Sequence, residues 1–386
     1  MMEETTTSTG TLTFTGDDSF QTPRSIPFDL ATEILSKLSV KFLLKFSTTC
    51  KSWNSLINDP KFIKKHLRIS TKRHRLITTT CIPSKKFTVM SYQLHSLPFN
   101  SIFNINATTQ YEYSPVNHDY HDCLVASCDG IVCFAINQNV AVLWNPSIGK
   151  LKILPTLDTP KDGDGDGHTV YGFGYDPFVD NYKVVSVFYY NVYACKTEVS
   201  VYSLGTDCWR RIEDFPPLIP YGRQGVFVCG TVNWLAYYDL NENDYYRSYA
   251  IVSLDLENET YHEILQPDYG EVVIEKLTLT LMRDCLCVFS HSDSFDDVWL
   301  MKEFGNDESW VKLIRIPRFS NRCLYFDNTK ILYVFEDDNH VLLLMEEKFK
   351  LKWVVYDSKN DIVKCTKFQD FSWAESKVYV ESLISP

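Results

Sequence analysis

Several stretches of this chain hold residue types that could do chemistry, and each falls short on spacing. Asp162-Gly163-Asp164-Gly165-Asp166-Gly167 alternates carboxylates with glycines, as the start of a calcium loop does. Such a loop closes on a bidentate Glu at its twelfth position, and counting from Asp162 puts Phe173 there. No helical pattern flanks it, so it reads as a flexible acidic surface loop. The same glycines lack the strand–turn–helix frame of a dinucleotide fingerprint. His118, His121 and Cys123 form a His-x-x-His-x-Cys group that could ligate zinc, but no partner cluster stands at finger-like spacing. Cys285 and Cys287 alternate along a strand pattern and share a face, which suits core packing. No Gly-x-Ser-x-Gly elbow and no phosphate loop occur. The chain therefore reads as having no catalytic residue, no metal site and no cofactor.

The chemistry left is that of surface recognition, and it concentrates in residues 26–67. Leu30, Ile34, Leu35 and Leu38 fall on one face at helical spacing, with Pro27 suited to a first helical turn. Cys50, Trp53, Leu56 and Ile57 repeat the pattern in a further helix, for which Ser47, Thr48 and Thr49 are available as caps. Asn58-Asp59-Pro60 ends that helix and could start another, with Phe62, Ile63, His66 and Leu67 as its apolar side. An ordinary three- or four-helix core would use some of these side chains. So short a piece cannot bury all of them, which makes the segment a binding element.

Composition and charge narrow the partner. The chain has 386 residues, 45% of them hydrophobic, enough for one large domain or a large and a small one. Its apolar runs, such as Val341 to Met345, are too short to span a bilayer, and Met1 to Gly10 has neither the basic nor the apolar region of a signal peptide. Twelve cysteines without secretory signals favour free thiols in a reducing compartment, hence a cytoplasmic or nuclear protein. Residues 26–75 carry eleven Lys or Arg against three Asp or Glu, a net +8, and residues 1–25 carry −3. With −11 for the whole chain, residues 76–386 carry −16. A basic helical module suits an acidic partner, and the acidic remainder argues against nucleic acid. Lys61, Lys64, Lys65, Arg68, Lys72, Arg73 and Arg75 read as a solvated helix face and linker.

The elements that must position these residues fall into three parts. Residues 1–24, rich in Thr, Ser, Gly and Asp, read as a disordered tail. Residues 25–70 read as helical. From residue 75 to 386 the apolar period drops to two, and Tyr, Phe, Val and Thr dominate between turn signals. Asp129-Gly130 joins two short strands between Leu124 and Phe134. A unit of strand, polar turn, aromatic, strand and proline then recurs: Val201–Leu204 with Trp209 and Pro216, Val252–Leu256 with Tyr261 and Pro267, and Val298–Met301 with Trp310 and Pro317. Trp353–Asp357 is a degraded fourth copy. The aromatics stand 52 and 49 residues apart. A period of ~50 with four strands per unit is that of propeller blades, and ~310 residues make about six. The fold class is thus α+β multidomain, a small helical domain followed by an all-β propeller.

Together the two parts resemble a known family. Ile26-Pro27, Leu30, Glu33-Ile34-Leu35, Lys37-Leu38, Val40-Lys41, Leu43-Leu44-Lys45-Phe46, Cys50-Lys51-Ser52-Trp53, Leu56-Ile57 and Pro60-Lys61-Phe62 resemble an F-box. The remainder is similar to the F-box-associated, kelch-like region of a large plant family. The matching blocks are Leu143-Trp144-Asn145-Pro146, Tyr171–Asp176 with Asp180–Val185, Gly230–Leu235, Val298–Gly305 with Ser309-Trp310, and Tyr379–Leu383. Three positions depart from the pattern: Ser39 where many members have Pro, Phe42 for a usual Ser, and Arg283-Asp284 where a Gly-containing turn is common.

The resemblance implies a non-catalytic substrate adaptor of a Skp–cullin–F-box ubiquitin ligase. The F-box would dock on a Skp-family linker, and through it on cullin and the RING subunit, while the propeller holds a protein target for ubiquitination and degradation. Nucleic acid and membrane are not expected partners. The linker-docking residues would be drawn from Pro27, Leu30, Ile34, Leu35, Leu38, Leu43, Leu44, Cys50, Trp53, Leu56 and Ile57, about half of which must instead hold the helices together. Trp53→Ala or Leu35→Ala is expected to weaken linker binding at least about tenfold, ~1.4 kcal/mol. Tyr237, Tyr238, Tyr245 and Tyr246 are candidate target contacts on loops. A non-degradative scaffold and a propeller enzyme stand as alternatives, because a fold alone does not fix a function.

Overall fold

The structure, a computed structural model, describes residues 11–12, 26–70, 74–81, 87–93, 109–113, 123–136, 138–158, 167–190, 197–238, 248–318, 330–335, 337–347, 350–365 and 373–386. A two-residue strand, β1 (Thr11–Leu12), pairs antiparallel with β2 (Ile26–Pro27). Four helices follow: α1 (Phe28–Ser36), α2 (Val40–Ser47), α3 (Lys51–Ile57) and α4 (Pro60–Ser70). Pro27 sits at the N-cap of α1 rather than inside it, with φ −53°. Ser47, Thr48 and Thr49 do not cap α3. They lie at the end of α2, where their hydroxyls reach back to the carbonyls of Leu44, Lys45 and Phe46 at 2.8, 2.8 and 2.7 Å. The Lys45 and Phe46 carbonyls also accept from the backbone N–H groups of Thr48 and Thr49, at 3.3 and 3.0 Å, so the hydroxyls add a second donor to the last turn of α2. The N-cap of α3 falls to Cys50. Asp59 Oδ1 accepts from the N–H groups of Lys61 and Phe62 at 2.8 and 3.1 Å, and Pro60 opens α4 where no donor is needed.

The helices bury Ala31, Leu35, Val40, Leu43, Leu56, Ile57 and Phe62 against one another. Leu38, Phe46, Trp53 and Ile63 are half-buried around them. Trp53 meets Phe46 edge to face, with centroids 5.0 Å apart. His66 is fully buried, so its ring must find a partner: Nε2 donates to the Leu38 carbonyl at 2.9 Å. Among the described residues, no helix is long and apolar enough to cross a membrane.

Among the described residues, twenty-four strands form six four-stranded antiparallel blades. Blade 1 holds β3 (His74–Cys81), β4 (Phe87–Gln93) and β5 (Thr109–Tyr113), with β26 (Trp373–Val380) as its inner strand. Blade 2 is β6 (Cys123–Cys128), β7 (Ile131–Ala135), β8 (Ala141–Asn145) and β9 (Lys150–Ile153). Blade 3 is β10 (Gly167–Asp176), β11 (Asn181–Tyr190), β12 (Thr197–Ser203) and β13 (Cys208–Arg211). Blade 4 is β14 (Ile219–Val228), β15 (Thr231–Tyr237), β16 (Tyr249–Asp255) and β17 (Tyr261–Ile264). Blade 5 is β18 (Lys276–Met282), β19 (Cys285–His291), β20 (Phe295–Met301) and β21 (Trp310–Pro317). Blade 6 is β22 (Lys330–Val334), β23 (His340–Glu347), β24 (Lys350–Asp357) and β25 (Ile362–Cys365). Blades 3 and 4 touch through one parallel pairing of their inner strands, Tyr171 opposite Gln224. The ring closes because the last strand, β26, completes the first blade, which leaves no long open edge at the join.

The repeated aromatics act as ties between blades. Trp209 Nε1 donates to the Pro155 carbonyl at 2.7 Å, Tyr261 Oη to Glu213 at 3.1 Å and Trp310 Nε1 to Leu265 at 2.9 Å. Each acceptor lies just beyond the outer strand of the preceding blade. A period of about one blade in the sequence is thus a period of contacts in space. Two of the tight turns demand a left-handed backbone. Asp129 and Gly130 stand at φ +50° and +82°, and Arg283 and Asp284 at +53° and +58°. The Gly-free second turn is used: Arg283 pairs with Asp338 and donates to the Phe335 carbonyl, joining blade 5 to blade 6.

The helices sit on the end of the ring where inner strands finish. Lys64 of α4 meets Asp180 in the turn after β10 at 2.6 Å. Ile148, in the turn after β8, packs against the helical core, and Leu383, three residues beyond β26, is buried within it.

Candidate functional site

Two candidate surfaces lie at opposite ends of the molecule. The first is the outer side of α1 and α2. On α1, Ala31 and Leu35 point inward one turn apart, which forces Leu30 and Ile34, also one turn apart, outward. Leu35 is 3% exposed, whereas Leu30 and Ile34 are 50% and 49% exposed. On α2, Val40 and Leu43 are inside and Phe42 and Leu44 outside, Phe42 at 52%. Pro27 and Phe28 are exposed ahead of them. The exposed ion pair Glu33–Lys37, 2.9 Å, lies one turn long on α1, and Lys37 holds the Glu33 carboxyl below the usual range.

The eleven side chains expected to dock a linker divide between these two roles. Leu35, Leu43, Leu56 and Ile57 are buried in the helical core, and Leu38 and Trp53 are half-buried there. Pro27, Leu30, Ile34, Leu44 and Cys50 are exposed. Ser52's hydroxyl, with the Trp53 N–H, holds the Cys50 thiol below its ordinary range. Phe28 and Phe42 belong with the exposed set and are absent from the docking residues expected from the sequence; helical spacing through Leu30 and Ile34 does not point to them, since Phe28 falls on the opposite side of that wheel and Phe42 lies on the next helix.

The second surface is the far rim of blades 3 and 4, where β11 and β15 end and β14 and β16 begin. Tyr237 is half-buried there. Tyr238 is exposed, its hydroxyl 3.4 Å from Glu263 Oε2, and that carboxylate raises the phenol's pKa. Tyr245 and Tyr246 lie outside the described residues. Tyr237 joins Tyr189, Tyr190, Ile219, Pro220, Tyr221 and Gly222 around a recess of about 180 Å³. Most of these are not legible as a site, because Tyr189 and Tyr190 end β11 of one blade while the others belong to β14 and β15 of the next.

The other chemical candidates take ordinary places. Cys287 is fully buried and Cys285 partly so, and burial pushes the Cys287 thiol well up, out of reach of nucleophilic chemistry. His118 and His121 lie outside the described residues, as do Asp162, Asp164 and Asp166, while Gly167 opens β10. Among the described residues, no three His, Cys, Asp or Glu side chains are grouped to hold a metal ion.

A small helical unit carrying an exposed apolar face on one end of a six-bladed propeller defines a class of protein, and sequence comparison gives the family. Residues 24–65 match the F-box domain and residues 80–386 match the F-box associated beta propeller domain. The chain belongs to the family of plant-type F-box proteins with an F-box associated β-propeller. An F-box/kelch-repeat protein of Arabidopsis thaliana is 30% identical over 94% of this chain and 96% of its own length. The Arabidopsis F-box protein CPR1 is 26% identical over 87% and 83%. Among solved structures, the Dos1 propeller aligns over 77% of this chain and 68% of its own, at 11% identity and a TM-score of 0.39.

Proposed function

We propose that this chain is the substrate-recognition subunit of a Skp–cullin–F-box ubiquitin ligase, working in the cytoplasm or nucleus without catalysis of its own. One observation carries the reading. The F-box keeps Leu30, Ile34, Phe42 and Leu44 outside a well-packed core instead of turning them onto the propeller. Apolar side chains exposed together on one small domain call for a covering partner, and in this family that partner is a Skp-type linker. The propeller then holds a protein target, and the ubiquitin thioester resides on a separate conjugating enzyme.

The test is co-expression of the full chain with a Skp-type linker and affinity capture of the pair. The double variant Leu30→Asp/Ile34→Asp should lose capture at least about tenfold while melting as the wild type does. Full retention of the linker by that folded variant would sink the reading. A non-degradative scaffold would also bind linker, so cullin co-purification and accumulation of a target when the protein is removed separate the two.

A further inference from the structure

The recess on the far rim has features that select a ligand. Tyr221 is clamped edge to face between Tyr237, with centroids 6.1 Å apart, and Tyr249, 5.2 Å apart. The rings are therefore ordered before anything binds. Beside them the chain bends at Gly222, φ +94°, and the β14–β15 register shifts between Tyr221 and Val226, which opens the recess. Its volume has room for one side chain, not for a folded surface.

The surroundings are acidic. The two links that leave blades 3 and 4 on this rim, residues 212–218 and 265–275, contain Glu213, Asp214, Asp268, Glu271 and Glu275 and no Lys or Arg. Glu198 and Glu263 add to them from the strands. Arg211 offsets part of this charge, meeting Glu198 and Asp214 at 3.0 Å each, and Arg318 meets Glu275 at 3.4 Å. Lys276, which opens β18 at the same end, and Arg223, which follows Gly222 in sequence, add further positive charge, so in these segments seven carboxylates stand against four basic residues. Tyrosine faces in a negative field attract a cation. The neighbouring blade already uses that contact internally: Lys312 Nζ lies 4.9 Å from the Trp299 ring centre, and the Arg315 guanidinium 3.5 Å from that of Phe295.

We infer that the recess is a cation subsite that accepts an arginine or lysine side chain from a basic segment of the protein target. The inference rests on the adaptor reading and adds the chemical class of the target. It places target capture at the end of the ring away from the F-box.

The full chain bound to its Skp-type linker is titrated with fluorescein-labelled Gly/Ser dodecapeptides bearing three Arg, three Lys, three Glu or three Leu. The Arg and Lys peptides should bind, more weakly as salt rises, and the Glu and Leu peptides should not. Tyr221→Phe, which keeps the ring, should bind the Arg peptide within about twofold of wild type, and Tyr221→Ala should lose about tenfold. Glu263→Lys, an exposed change that leaves the rings packed, should weaken it about threefold or more. Preferential binding of the Leu or Glu peptide overturns the inference. So does Arg-peptide binding unaffected by Tyr221→Ala and Glu263→Lys, or no Arg binding at all. If the linker still co-purifies in those cases, only this inference falls; loss of the linker itself would count against the adaptor reading.

Discussion

Ile34 and Leu35 are adjacent in sequence and face opposite ways, one out to solvent and one into the core, so substitutions there would separate docking from folding. Leu35→Ala removes a fully packed side chain, and a loss of about 2–5 kcal/mol in stability is expected, read from the denaturant midpoint. Any fall in linker capture should then track unfolding, unlike that of the exposed Leu30 and Ile34. A Leu35→Ala protein that stays fully stable yet cannot bind would contradict this division. Asp129 gives a second test. Burial pushes its carboxyl up, partly offset by the Tyr182 hydroxyl, which donates to Oδ2 at 2.9 Å. A carboxyl whose pKa is raised on folding stabilises the fold below its unfolded pKa, and that stability is lost as pH rises through the folded value. Asp129→Asn keeps an acceptor and a residue type tolerant of φ +50° without the charge. It should be more stable than wild type at pH 7, with the gap closing as pH falls towards about 4. Urea midpoints across that range decide it, and a gap that widens on acidification would show the sign to be wrong.

At the scale of elements, the aromatic ties are the testable unit. Trp209→Phe keeps an aromatic ring beside Tyr202 but removes the N–H that reaches Pro155. The expected loss is about 1 kcal/mol in the urea midpoint, and Trp310→Phe should cost a similar amount through Leu265. No change in either would reduce the repeated aromatics to surface packing. These ties also explain what the sequence could reveal. The third strand, its polar turn and the aromatic at the start of the fourth strand recur in blades 3, 4 and 5, where each blade meets its predecessor through the same hydrogen bond. Period and the length of the β region together give about six blades, but not how the ring closes, because β26 and β3 stand at opposite ends of the chain. The helices were legible by apolar spacing, but not which side of each faced out, since Leu30 and Leu35 are chemically alike and only packing tells them apart. The caps of α3 were misplaced for a local reason: Ser and Thr at the end of one helix are equally close to the start of the next. The tyrosine recess was half hidden because Tyr189, Tyr221 and Tyr237 meet only once two blades stand side by side.

At the scale of the whole molecule, the chain's last described residues join ring closure to the F-box. Arg75 of β3 pairs with Glu381, both largely buried. Asn145 Nδ2 lies within hydrogen-bonding reach of Ser382 O, Ser382 Oγ and Ile384 O at 3.1, 3.0 and 2.7 Å. Gly130 leaves no room for a side chain, because a Cβ there would stand 2.4 Å from Ser382 Oγ. These contacts fix the tail on the closed ring and deliver Leu383 into the F-box core beside Leu35, Leu43 and Phe62. The exposed Lys64–Asp180 pair spans the same junction but is worth ~0–1 kcal/mol, so the apolar tail carries the coupling. Leu383→Asp should then loosen α1–α4 by about 2 kcal/mol or more, with amide exchange rising across the four helices and little change in blades 3 to 5. Linker capture should fall with it, whereas Lys64→Ala should leave both exchange and capture near wild type. If the helices of the Leu383→Asp protein exchange at wild-type rates, the F-box holds itself together and the tail is only a neighbour; if the far blades loosen as much as the helices, Leu383 supports the ring itself and not the junction.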